Sequence, residues 1–165
     1  MSKFDILSNG NAVMEDVQII QSWSNFSGRP DTFNPNGGER YCVIEFQDDE
    51  FANELLSRNW NVRKRDPREE GDPYTYTIQA KIKYGGKRPP RIFKVTSKNT
   101  TLLDEYTVST LDLDEIEFVD VELRAWEYEP GKPCAMYVRT MYVNIAEDIF
   151  AAKYAGDDDT PPFDE

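Results

Sequence analysis

Twelve of the chain's 19 lysines and arginines fall in the 41 residues from Arg58 to Lys98, against four acidic side chains, so this block carries +8. Residues 1–57 carry −7 and residues 99–165 carry −13, within a total of −12. An acidic chain has thus gathered its positive charge into one central block. Rings stand among the cations: Trp60, Tyr74, Tyr76, Tyr84 and Phe93. Cations interleaved with flat rings are what a flexible polyanion with exposed bases requires, phosphates going to the cations and bases to the rings. The candidate phosphate ligands are Arg63, Lys64, Arg65, Lys81, Lys83, Lys87, Arg88, Arg91 and Lys94. The candidate stacking rings are Trp60, Tyr74, Tyr84 and Phe33. Lys81 and Lys83 can equally be the solvated face of an amphipathic strand. Trp23, Tyr76 and Trp126 are read as core, because large rings in strands are usually buried.

Other chemistries find little here. The chain has no histidine, which excludes histidine-based triads and the usual zinc sites. Neither a Walker-type phosphate loop nor a dinucleotide fingerprint occurs. Asp112, Asp114, Glu115 and Glu117 could hold magnesium for a nuclease, but their spacing reads as a solvated turn before a strand. No enzymatic role and no cofactor is expected. Cys42 and Cys134 are flanked by apolar residues and read as buried free thiols. There is no long apolar run and no apolar signal core near the N-terminus, so a cytoplasmic location with no membrane partner is expected.

The elements that position these groups read mainly as strands. Residues 1–11 are polar and read as a loose arm. Val13, Val17, Ile19 and Trp23 suggest a long first strand over 12–26, bent near its middle. A loop rich in glycine, proline and asparagine follows to Gly38. Tyr41 to Phe46 is a second strand. Asp48 caps a helix whose apolar stripe is Phe51, Ala52, Leu55 and Leu56. Residues 60–65 read as a charged edge strand.

From Tyr74 to Tyr84, Tyr and Ile/Ala alternate with Thr, Gln and Lys, the mark of a half-buried strand. Gly85-Gly86 suggests a hairpin returning through residues 91–96. Leu102, Leu103 and Tyr106 hold helical spacing. Residues 116–128 and 134–145 read as two long strands joined by a turn at Glu129-Pro130-Gly131-Lys132. Residues 146–154 read as a short helix. The last eleven residues are acidic and carry Pro161 and Pro162, which predicts a disordered tail.

Six or seven strands with one or two short helices predict an all-β domain over 12–154. The expected architecture is an OB-fold-like barrel of five to seven strands, with a β-sandwich as the alternative. The tail over 155–165 can compete for the basic groove, or present Phe163 to basic pockets on partner proteins.

Asp157-Asp158-Asp159-Thr160-Pro161-Pro162-Phe163 resembles the acidic tip of bacterial single-stranded DNA-binding proteins, in which acidic residues precede Ile-Pro-Phe. In that family phenylalanine ends the chain, whereas here Asp164 and Glu165 follow it. The body resembles phage-encoded single-stranded DNA-binding proteins of the OB-fold type. The likeness is carried by Phe33-Asn34-Pro35-Asn36-Gly37-Gly38, Arg68-Glu69-Glu70-Gly71-Asp72, Arg88-Pro89-Pro90 and Leu102-Leu103-Asp104-Glu105, spread over about residues 13–150. The resemblance implies a protein that coats single-stranded DNA in phage replication and recombination with low sequence preference. It also implies a tail (Asp157, Asp158, Asp159, Pro161, Pro162, Phe163) that meets replication or recombination proteins, and a homo-oligomer. The charge balance leaves a different class open: an acidic protein–protein module, or a phage-encoded inhibitor that mimics nucleic acid.

Overall fold

The alternation from Tyr74 to Tyr84 does make a strand, and the barrel is built around it. In the computed structural model, which describes residues 3–32, 34–67, 69–147 and 150, β5 spans Thr75–Ile82. Tyr76, Ile78, Ala80 and Ile82 are buried on its inner side. The other strands are β1 (Phe4–Ile6), β2 (Ala12–Ile19), β3 (Arg40–Phe46), β4 (Arg63–Arg65), β6 (Arg91–Val95), β7 (Thr100–Leu103), β8 (Ile116–Trp126) and β9 (Ala135–Ile145). Five of them close on themselves in the order β2-β3-β5-β9-β8 and back to β2. The closing pair, β5 with β9, is parallel, through Ala80 opposite Met136 and Lys81 opposite Tyr137. A closed five-stranded Greek-key barrel of this order is an OB-fold, and closure rules out the sandwich.

Helix α1 (Asp49–Ser57) lies between β3 and β4. Its start follows the sequence reading: the Asp48 carboxylate accepts from the Phe51 backbone N–H at 2.9 Å, satisfying one of the orphan donors of the first turn. Phe51, Ala52 and Leu55 are buried, whereas Leu56, the fourth member of the expected stripe, is exposed. No helix among the described residues is long and apolar enough to cross a membrane.

Several readings are corrected. Residues 4–6 are not a loose arm. They pair antiparallel with β2, and the Phe4 ring packs 5.1 Å from Phe51 and 5.7 Å from Phe46. The first long strand stops at Ile19 and gives way to a 3-10 turn at Gln21–Trp23. Its expected bend is a bulge: the register with β8 shifts between Met14 and Val17, and Asp16 adopts φ 57° there.

The Gly85-Gly86 hairpin does not form, because both edges of β5 are already paired, to β3 and to β4 and β9. The chain instead runs on to β6, which lies parallel to β9 and forms a hairpin with β7. Thr100–Leu103 is therefore strand rather than helix, paired along one edge with β6. The helical turn comes later, as a 3-10 segment at Val108–Asp112. The terminal helix expected over 146–154, the tail and Phe33 lie wholly or mostly outside the described residues.

Candidate nucleic-acid interface

Directly opposed residues in neighbouring strands share a face, so the register defines what the outer surface presents. Tyr41 on β3 lies opposite Lys81 on β5, Lys81 opposite Tyr137 on β9, and Tyr137 opposite Arg124 on β8. One row of rings and cations thus crosses four barrel strands, open to solvent only from Lys81 onward, since Tyr41 is buried with its hydroxyl donating to Asp31. The Tyr137 ring sits between two of those cations. Lys81 Nζ is 6.0 Å and the Arg124 guanidinium carbon 5.4 Å from its centroid. Each such contact holds a cation at a ring face at about 0.5–1 kcal/mol when exposed. Along β5 the same face carries Gln79, Thr77 and Thr75, with Arg63 opposite Thr77 and Arg65 opposite Thr75.

Beside this row opens a groove of about 320 Å³ whose charged lining, among the described residues, is entirely cationic: Lys83, Lys87, Arg88, Arg124 and Arg139. Trp126, 55% exposed, lines it with Tyr137. The groove continues into a second of about 650 Å³ where Arg58 and Arg91 join Arg88, Arg124 and Arg139. A bulge contributes to this arrangement. The β8–β9 register jumps from Glu122 opposite Thr140 to Leu123 opposite Val138, leaving Arg139 as the extra residue. Among the described residues Glu122 is the only carboxylate on the second groove, and it accepts from Asn11 Nδ2 at 2.7 Å.

Most of the expected cations meet here. Lys81 and Lys83 line the β3–β5 side, and Lys87, Arg88 and Arg91 line the two grooves. At the far end of β5, Lys64 sits over the half-exposed Tyr74 ring at 4.0 Å. Arg65 lies 4.3 Å over Trp23 and 3.5 Å from the Glu45 carboxylate. Lys94 is elsewhere, bound to Asp114 at 2.6 Å and to Thr110 at 2.9 Å.

The rings sort differently from expectation. Trp60 is only 4% exposed and is not available to stack. Asn59, at φ 68°, ends α1 in the left-handed conformation and turns the next residue inward. Trp60 then bridges to Cys134 where β4 and β9 approach one another. Tyr84 packs against the core, with its hydroxyl pushed up to about 12 mainly by burial. Tyr76 is core as expected, and its hydroxyl donates to Asp49 at 2.5 Å. Trp23 and Trp126, expected inside, are about half exposed.

The residues that sequence reasoning missed are Arg124, Trp126, Tyr137 and Arg139. They lie outside the basic block, on β8 and β9. A signal existed: Glu122, Arg124 and Trp126 occupy the strand phase opposite the buried Val121 and Leu123.

The loop between β2 and β3 borders the β3 side and is held by two polar side chains. Buried Asn25 accepts from Gly28 N at 2.8 Å and donates to Arg29 O at 2.8 Å. Asp112 accepts from Phe26 N and Ser27 N, each at 2.9 Å, and from Arg29 Nη1 at 2.8 Å. The loop then crosses itself, Gly38 N donating to Gly28 O at 2.7 Å. Asp112 and Asp114 are thus engaged with the loop and with Lys94. Among the described residues no cluster of three or more carboxylates and thiols could hold a metal ion.

Known proteins resemble the chain in sequence profile and in shape. A family model described as a phage ssDNA-binding domain matches residues 1–164. No curated protein matches it by sequence. The single-stranded DNA-binding protein of bacteriophage Enc34, solved in complex with ssDNA, superposes with a TM-score of 0.57 at 11% identity, covering 90% of this chain and 93% of that one. A C-terminally truncated form of the Enc34 protein superposes with a TM-score of 0.54 at 10% identity, covering 90% and 91%.

Proposed function

The chain belongs to the phage ssDNA-binding domain family, and from that premise we propose that it binds single-stranded DNA along the row and grooves described above. The observation that carries this reading is the gathering of cations from four separate segments on one groove. Arg58, Arg88 and Arg91 come from the basic block, while Arg124 and Arg139 come from β8 and β9. Backbone phosphates follow the cations. Bases stack on Tyr137 and Trp126, and at the far end on Tyr74 and Trp23. Stacking accepts any base, so sequence preference is low. The segregated positive grooves speak against an inhibitor that mimics nucleic acid, which would need an acidic face.

The tail completes the proposal. Asp157, Asp158 and Asp159 compete with phosphates for the grooves, and Pro161, Pro162 and Phe163 meet replication or recombination proteins. The setting is phage replication in the host cytoplasm. The test is fluorescence anisotropy of labelled oligothymidine at two salt concentrations, with the full chain and with one ending at Ala155. Contacts to about four to six phosphates give a log K against log salt slope of about −3 to −4. Binding tightens without the tail. Reversing Lys81, Lys83, Lys87 and Arg88 to glutamate together abolishes binding, and a loss under about tenfold, 1.4 kcal/mol, would sink the site.

A further inference from the structure

Three buried side-chain polar atoms lack a hydrogen-bond partner among the described residues: Arg40 Nε, Tyr84 Oη and Asp114 Oδ2. Asp114 Oδ2 lies 2.6 Å from Lys94 Nζ and is served by that ion pair. The other two belong to residues that line one pocket of about 310 Å³, at the start of β3, the end of β5 and the turn after β7. Native folds leave few buried donors unmade, because each is destabilising. Two of them at one pocket point to a ligand that supplies acceptors.

The lining narrows the class of ligand. Arg40 is tied to the turn by Nη2, which donates to the Glu105 backbone O at 3.0 Å. Its guanidinium carbon lies 5.7 Å from the Tyr84 ring centroid. An arginine Nε–H can only donate. Burial pushes the Tyr84 hydroxyl up to about 12, so it keeps its proton and can donate as well. Glu39 and Glu105 line the same pocket, and ionised carboxylates only accept. The pocket therefore suits a group that sets an acceptor beside a donor. A phosphate offers acceptors alone, and the two carboxylates repel it. The volume is near the lower end of the range for small-molecule sites, about 300–1,000 Å³. The pocket shares Lys83 and Tyr137 with the first groove, so a strand lying in that groove reaches it.

Resting on the single-stranded DNA reading above, we propose that this pocket admits one base of the bound strand and reads it for a keto group, as in thymine or guanine. The keto oxygen accepts from Arg40 Nε and the Tyr84 hydroxyl. The ring N–H beside it donates to Glu39 or Glu105. Adenine and cytosine carry an amino group and a bare ring nitrogen at those places, setting donor against donor and lone pair against carboxylate. A site built to hydrogen-bond its ligand rejects such analogues, because its buried groups are left unpaired. The remaining bases stack without discrimination, so one position is read within an otherwise tolerant site.

Anisotropy with the full chain and labelled strands of ~12 nucleotides, within the span of one OB barrel, tests it. Oligothymidine is set against oligo-5-methylcytidine, which differs from it only in the edge being read. Oligodeoxyadenosine with inosine at every third position is set against plain oligodeoxyadenosine. The keto strand of each pair binds roughly fivefold or more tighter. Phosphate contacts are common to both strands of a pair and cancel, so the ratio holds at two salt concentrations. Tyr84→Phe, which keeps the ring, brings the ratio near one, and so does Arg40→Lys, which keeps the charge. A preference in the pyrimidine pair alone supports thymine as the base, and in the purine pair alone guanine. Tight binding with equal affinities in both pairs overturns the pocket and leaves the DNA reading standing. A preference that both variants leave whole also overturns it. Binding to none of the four strands would sink the DNA reading itself, and the pocket with it.

Discussion

Tyr137 is the residue on which the proposed site depends most, because it is the ring that two cations flank on the barrel's outer face. Base–aromatic stacking contributes about 1–3 kcal/mol per base. Tyr137→Ala should therefore weaken oligothymidine binding roughly 5- to 150-fold, while Tyr137→Phe keeps most of it. Equal affinities for wild type and Tyr137→Ala in an anisotropy titration would remove the ring from the site. A second prediction at this scale concerns alkaline pH. Burial is the largest cause raising Tyr41 and Tyr84 from 10.0 to about 12, and burial raises the Cys42 thiol from 9.0 to about 12. A raised pKa means that the folded state holds the proton more tightly than the unfolded chain. Their contribution is therefore whole below the unfolded values and is lost as pH rises through about 12. Denaturant midpoints should fall above about pH 9 to 10, and Tyr84→Phe should flatten that fall. A midpoint that stays level to pH 12 contradicts the burial of these groups.

Among the elements, the β2–β3 loop is held in one shape by hydrogen bonds and by a close self-crossing. Gly37 has φ +75°, and a Cβ there would lie 3.1 Å from Gly28 O and 3.3 Å from the Pro30 ring. Backbone strain and crowding add, so Gly37→Ala should cost about 1–2 kcal/mol, read as a lower urea midpoint with unchanged slope. A neutral result would mean that the loop shifts freely. The helix start, the β5 alternation and the turn at Glu129–Lys132 were legible because each is set by residues within a few positions of one another. The β5–β6 hairpin misled because Gly85-Gly86 permits a tight turn without requiring one. The edge it would have paired with is held by β4 and β9. Thr100–Leu103 misled for the opposite reason: a partner strand outweighed a weak helical spacing.

On the scale of the whole molecule, the electrostatics turn on where each cation ends up rather than on how many there are. Arg124 and Arg139 are two of the four cations after residue 98, yet they line both grooves. Reversing both to glutamate should reduce DNA affinity more than tenfold and flatten the salt slope. Reversing Lys94, which is committed to Asp114, should leave affinity nearly unchanged and lower stability instead. Equal losses from the two variants would mean that net charge alone governs binding. The sequence by itself determined the strand phases, the capped helix and the separation of a basic block from acidic flanks. These are properties of the local pleat, of the helix period and of composition. Only the tertiary structure decided that Trp60 is buried while Trp23 and Trp126 face solvent. It also decided that Lys94 leaves the basic face and that Tyr137 and Arg139 enter it. Those outcomes follow from which strand edges pair when the barrel closes and from where a bulge adds a residue, and both are settled by contacts between residues distant in sequence.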